Sequence, residues 1–164
     1  MIAAAFRRWK HARRFARASA EIMARDIAPR PHGLAAPLVV SLTSYPARFP
    51  NLHLVLRSLL AQTLRPDRVI LWLTRDDAAR LPDSARLPGL EIAICPDWRS
   101  YKKIVPTLLE APDANIVTAD DDVYYHADWL ETLVARADAG VVAHRAHRVT
   151  LQDGRPRDYD DWQR

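Results

Sequence analysis

Four short apolar runs, each closed by a polar or charged loop, constrain this chain more than any other feature. They are Leu38–Leu42, Arg68–Leu73, Leu90–Cys95 and Ile116–Ala119. Each is of strand length and apolar at successive residues rather than at alternate ones. Strands of that kind are buried on both faces, as in parallel sheets covered by helices. The segments between them carry helical signals. Leu52, Val55, Leu56, Leu59 and Leu60 recur at helical spacing in Asn51–Gln62, with Pro50-Asn51 as the helix entry. Ser100 is placed to cap a helix running to about Glu110, with Ile104, Val105, Leu108 and Leu109 on its buried face; Pro106 is accepted only if that helix starts near Lys102 or Lys103, which puts the proline in its first turn. Asp128–Ala137 reads as a helix ending before Gly140. Asp76–Pro88 reads as polar and irregular, Val141–Leu151 as one or two strands, and Asp153-Gly154 as a turn. This alternation predicts an α/β fold with a mostly parallel sheet and helices on both faces.

The N-terminal segment differs in character. Residues 2–27 read as a helix rich in Ala and Arg. Ile2, Phe6, Trp9, Ala16, Ala20, Met23 and Ile27 fall on one face; Arg7, Arg14, Arg17 and Arg25 lie off it, and Arg13 interrupts it. Pro29, Pro31, Gly33 and Pro37 break the helix, so residues 1–37 are expected to form a basic amphipathic helix and a linker before a domain at 38–164. Residues 1–30 hold eight Arg or Lys and two Asp or Glu, a net of +6; the chain totals +4, so the rest carries −2. The basic character is local and does not mark a nucleic-acid-binding domain.

Cys95 is the only cysteine, which excludes an intrachain disulfide and a cysteine zinc site and fits a reducing, cytoplasmic setting. Within its apolar run it reads as a buried thiol. No stretch approaches the about 20 apolar residues of a membrane span.

In parallel sheets ligands bind beyond the carboxyl ends of the strands. Three of those ends carry unusual chemistry here. They are Thr43-Ser44-Tyr45-Pro46-Ala47-Arg48, Asp97-Trp98-Arg99-Ser100-Tyr101-Lys102-Lys103, and Asp120-Asp121-Asp122 followed by Val123-Tyr124-Tyr125. Adjacent carboxylates repel one another, and a hard divalent cation relieves that cost. Mg²⁺ or Mn²⁺ takes few carboxylates and completes its shell with water and phosphate oxygens. In extended geometry Asp120 and Asp122 project to one side and Asp121 to the other. A solvated acidic turn is the alternative reading. Arg48, Lys102 and Lys103 can offset the charge of a diphosphate. Tyr45 can stack on a base or sugar ring or pack on the core. Trp72, Tyr124, Tyr125 and Trp129 read as packing residues.

These three blocks, in this order after strands, resemble the motifs of bacterial GT-A glycosyltransferases similar to glycosyltransferase family 2, over about residues 38–150. The resemblance implies a Rossmann-like sheet of the GT-A type and transfer of a sugar from a nucleotide-sugar donor. The acceptor would be a cell-surface glycan or a lipid-linked molecule. It places Thr43, Tyr45 and Arg48 at the nucleotide, with Asp76 or Asp77 as a reader of the base. Lys102, Lys103, Asp120 and Asp121 fall on the donor side, and Asp122 with Asp120 would hold the Mn²⁺ or Mg²⁺.

Members of that family are usually longer and supply the acceptor site and general base from their later half, so the resemblance leaves open a C-terminally truncated or a degenerate enzyme. The late candidates for a base are Asp158, Asp160 and Asp161, with His144 or His147 as a further one. In a strand over Val141–His147 the two histidines would face opposite sides, and His147 would share a face with Arg145. A sugar-nucleotide-forming nucleotidyltransferase is the nearest rival, but Thr43–Arg48 lacks the glycine-rich loop it needs. A non-catalytic nucleotide-binding module docked on a membrane is the other. For the basic helix, three placements stay open: a membrane interface reached through residues 1–30 with Phe6 and Trp9 inserted, its own domain, or a second copy.

Overall fold

In the computed structural model the four apolar runs lie side by side as parallel strands. Residues 2–163 are described, without the side chains of 2–5, 7, 8 and 11; the placements expected for Ile2 and Arg7 lie outside the described residues. Two compact units are present, one ending at Glu131 and one beginning at Thr132.

The first unit opens with α1 (Ile2–Ala24) and β1 (Arg30–Pro31), then β2 (Leu38–Thr43), α2 (Phe49–Leu60), β3 (Leu64–Arg65), β4 (Arg68–Leu73), α3 (Arg75–Ala79), β5 (Leu90–Ile94), α4 (Val105–Glu110) and β6 (Asn115–Thr118). A last helix, α5 (Trp129–Val134), begins in it. The central sheet has the order β5-β4-β2-β6, all parallel. Burial follows that order. β2 and β4 are buried almost throughout, while β5 and β6 at the edges are only partly so. The expected linker is not bare chain, because β1 pairs in parallel with β3.

The order places the site. From β2 the chain steps outward through β4 to β5, then returns to lay β6 on the opposite side of β2. Such a reversal opens a crevice between the carboxyl ends of the two strands. Here Ser41 is in register with Thr118, and the Ala119 amide donates to the Ser41 carbonyl at 2.9 Å. Asp120 therefore begins where β6 leaves the sheet, beside the end of β2.

Several expectations change. Asp76–Pro88 contains α3, capped by Thr74, whose Oγ1 accepts from the Asp77 amide at 3.1 Å, and a 3₁₀ turn at Asp83–Ala85. Five residues are too few to show a helical period, but the cap and the acids of the first turn were readable. The single helix from Ser100 is split into a 3₁₀ turn, Arg99–Lys103, and α4, with the break at Ile104. Pro106 can donate nothing and would crowd the carbonyl four residues earlier, so an uninterrupted helix cannot form. The break rotates α4, which buries Pro106 and Thr107 and leaves Leu108 and Leu109 48% and 74% exposed. Ser100 caps nothing. α5 is shorter than expected and is followed by a 3₁₀ turn at Ala137–Ala139 before Gly140.

α1 packs with a different face from the apolar one. Phe6, Trp9 and Met23 are about half exposed, and Ile22, at 1%, is the buried anchor. No helix of the described residues is long and apolar enough to cross a membrane.

In the second unit, β7 (Leu151–Gln152) and β8 (Arg155–Pro156) form an antiparallel hairpin. Its turn is the expected Asp153-Gly154, both at positive φ as a type I′ turn requires. No strand forms over Val141–His147. That run has no sheet to join, and Val141 is 99% exposed. The opposed facing of His144 and His147 therefore does not apply.

A buried polar chain ties the sheet to α4. Trp72 Nε1 donates to Thr107 Oγ1 at 2.7 Å, and Thr107 Oγ1 lies 2.7 Å from Ser41 Oγ. Since Thr107 accepts from the indole, its own proton is available to Ser41. Thr107→Val keeps the shape and leaves the indole N–H without a partner, and should cost about 1–3 kcal/mol in denaturant titrations. Thr107→Ser should recover most of that loss.

Candidate functional site

The crevice between β2 and β6 is built from the loops that leave them. Thr43 turns inward: its Oγ1 donates to the Trp72 carbonyl at 2.8 Å, fastening the end of β2 to β4. Ser44, 2% exposed, donates from Oγ to Asp121 Oδ2 at 2.6 Å and joins the two loops across the crevice. Tyr45 is half exposed, and its hydroxyl accepts from Arg48 Nε at 3.3 Å. Arg48 Nη1 meets Asp122 Oδ2 at 2.8 Å. The Arg48 guanidinium is held above its ordinary pKa by the Tyr45 hydrogen bond and then by the Asp122 charge.

The two lysines diverge. Successive side chains in a 3₁₀ turn point about 120° apart. Lys103 Nζ donates to Asp120 Oδ1 at 2.5 Å, at the crevice. Lys102 is buried at 5% and lies 3.8 Å from Asp77 Oδ2 and 3.5 Å from Asp97 Oδ1, bridging α3 and the loop after β5. Asp97 is held below the usual carboxylate range, chiefly by the Arg99 amide that donates to it. Asp76 is exposed on α3. Cys95 is buried, and burial pushes its thiol up.

The acidic triplet is a turn rather than an extended strand end. Alternation of its side chains therefore fails. Asp121 and Asp122 line one cleft of about 260 Å³ with Arg48, Asn51, Val55 and Tyr124, and Asp120 is turned to Lys103. A cleft of that volume falls just below the about 300–1,000 Å³ of whole-ligand pockets and has room for a fragment of diphosphate size. Among the described residues no three His, Cys, Asp or Glu side chains converge as a ready-made metal cage.

Tyr125 supports the turn from below. Its hydroxyl accepts from the Asp120 amide at 2.7 Å, its amide donates to Ser58 Oγ at 3.2 Å, and its carbonyl accepts from Arg25 Nη1 at 2.8 Å. Its ring lies 4.3 Å from that of Trp129. Neither Ser44 nor Tyr125 was assigned a site role from the sequence. Ser44 stood inside the first motif, but a short hydroxyl in a loop has no pattern of its own. Tyr125 read as core, and it is core; its polar end gives it a second task.

The late candidates lie in the second unit. His147 stacks on Tyr159 at 5.3 Å and its Nε2 accepts from Arg145 Nε at 3.2 Å. His144 Nε2 lies 2.9 Å from Thr132 Oγ1. Asp161 pairs with Arg157 at 3.1 Å, and Asp158 and Asp160 are exposed around the 3₁₀ turn Tyr159–Asp161.

Burial raises the Tyr125 phenol to about 12 from 10.0. A raised folded-state value means that its contribution to stability is intact below pH 10 and is lost as pH rises through about 12. In denaturant titrations across that window the wild-type protein should lose stability more steeply than Tyr125→Phe. Equal slopes would put the phenol in solvent.

No protein-family model matches this chain, and no curated protein matches it.

Proposed function

We propose that the first unit binds a nucleotide sugar in the crevice between β2 and β6 and transfers the sugar to a glycan or lipid-linked acceptor, as a metal-dependent glycosyltransferase of the GT-A type. One observation carries the reading. The acidic turn after β6 meets a hydroxyl and a guanidinium from the loop after β2 at the point where the strand order reverses.

Charge arithmetic favours a cation as co-ligand. Three carboxylates against Arg48 and Lys103 leave the crevice at −1, which repels a bare diphosphate. The donor set fits a hard divalent ion: exposed aspartate oxygens with open positions for water and phosphate. Asp122, which lines the cleft, would hold Mn²⁺ or Mg²⁺, joined by Asp120 once Lys103 has left it, and the ion would supply charge to neutralise the diphosphate. The protein's own groups do the rest. Arg48 and Lys103 turn from carboxylate to phosphate oxygens as the ligand enters. Ser44 keeps Asp121 fixed meanwhile. Tyr45, half exposed beside Arg48, offers its ring face to the base or sugar. Lys102 holds Asp77 and Asp97 together behind them. The loop after β2 forms a 3₁₀ turn without glycine, which gives no support to the nucleotidyltransferase reading.

In calorimetry a nucleoside diphosphate should bind with Mn²⁺ present and at least tenfold more weakly in EDTA. Asp122→Asn should abolish the metal-dependent part. Its effect on stability should stay below about 1 kcal/mol, because an ion pair with both partners nearly half exposed is worth no more than that. Equal affinity with and without metal would remove the cation from the account. Binding without transfer or hydrolysis of any nucleotide sugar would leave a non-catalytic module.

A further inference from the structure

We propose that the outward face of α1, made by Phe6 and Trp9 among Lys10, Arg13, Arg14 and Arg17, docks on an anionic lipid surface. The helix uses its two sides differently. At about 100° per residue, Phe15 and Ile22 share one side. That side meets the protein: Ile22 is 1% exposed and the Phe15 ring lies 6.0 Å from that of Tyr124. Phe6, Trp9, Arg13 and Arg17 fall on the opposite side by the same geometry. There Phe6 and Trp9 are each 52% exposed and stack on one another at 5.9 Å. Among the described residues, cations lie over both rings. Lys10 Nζ stands 4.5 Å over the Phe6 ring and Arg13 4.9 Å over that of Trp9.

Charge selects the occupant. The first twenty residues contain six Arg or Lys and no Asp or Glu. A second copy laid on this face would oppose one set of cations with another. An anionic bilayer surface supplies the missing charge, and its interface accepts paired aromatic rings beside basic side chains. Lipid headgroups would also draw Lys10 and Arg13 off the rings and free them for insertion.

The inner half of the same helix holds the candidate site. Arg25, just beyond α1, donates to the Tyr125 carbonyl, and Phe15 touches Tyr124. Deleting residues 1–30 would therefore disturb the crevice as well as the docking face. Point variants on the outward side separate the two.

The test is flotation of the full chain with vesicles of phosphatidylcholine, alone or mixed with phosphatidylglycerol. The protein should float with the mixed vesicles at low salt and stay in solution with phosphatidylcholine alone. It should be released at about 1 M salt, where the screening length falls to about 3 Å. Phe6→Ser/Trp9→Ser and Arg13→Ser/Arg17→Ser should each reduce the floated fraction at least fivefold. Both should keep the wild-type circular dichroism and the wild-type response to nucleoside diphosphate, whatever that response is. Absence from the mixed vesicles at low salt overturns the proposal. So does flotation unchanged in Phe6→Ser/Trp9→Ser. A wild-type dimer in sedimentation that this variant converts to monomer would assign the face to a second copy instead.

Discussion

The pairing of β6 with β2 is the constraint on which the rest depends. Without that ladder the acidic turn and the loop carrying Ser44 and Arg48 belong to opposite ends of the chain's path through the sheet. With Ser41 opposite Thr118 and the Ala119 amide bonded to the Ser41 carbonyl, they face each other. The register also explains the inward hydroxyls. Ser41 bonds to Thr107 beneath the crevice, Thr43 closes β2 onto β4, and Ser44 is the first to reach across.

Two kinds of support hold the acidic turn, and they differ in strength. From below it rests on buried hydrogen bonds: Tyr125 joins Asp120, Ser58 and Arg25, and Gln62 bonds the Ser58 and His126 carbonyls and the Leu130 amide. Breaking one of these exposes a polar group to an apolar interior and costs about 1–3 kcal/mol. From above it is held by ion pairs to Arg48 and Lys103 that solvent reaches, each worth about 1 kcal/mol or less. The backbone of the turn is thus fixed while its carboxylates remain exchangeable. A charged ligand can take over the cations without remaking the loop.

β2 and β4 were legible because continuous burial needs continuous apolar sequence, while β5 and β6, only partly buried at the edges, showed as apolar runs of strand length. All four fell within two residues of their expected bounds, and their parallel arrangement followed from the helical spacing between them. What failed was short or depended on contacts between distant segments. α4 is six residues long, so the break at Ile104 was enough to exchange Leu108 and Leu109 for Pro106 and Thr107 on the buried side. The apolar pattern of α1 left the placement of its face open, because apolarity alone does not say whether a face is covered or by what. One well-placed isoleucine, Ile22, turned the helix the other way. At the crevice, the motifs marked loops that the fold brings together. The division of labour within them was not readable: Lys102 against Lys103 depends on a 3₁₀ turn, and Asp121 against Asp120 depends on where β6 ends.

The central claim is that a cation and a diphosphate share the crevice between β2 and β6. Amide NMR with sub-stoichiometric Mn²⁺ tests it directly, since the unpaired electrons broaden nearby resonances. With a nucleoside diphosphate present, the account predicts broadening centred on residues 120–124, together with 44–48 and Lys103, and weaker broadening at the amino ends of β2 and β4. Broadening centred elsewhere, or the same weak pattern with and without the nucleotide, would contradict it.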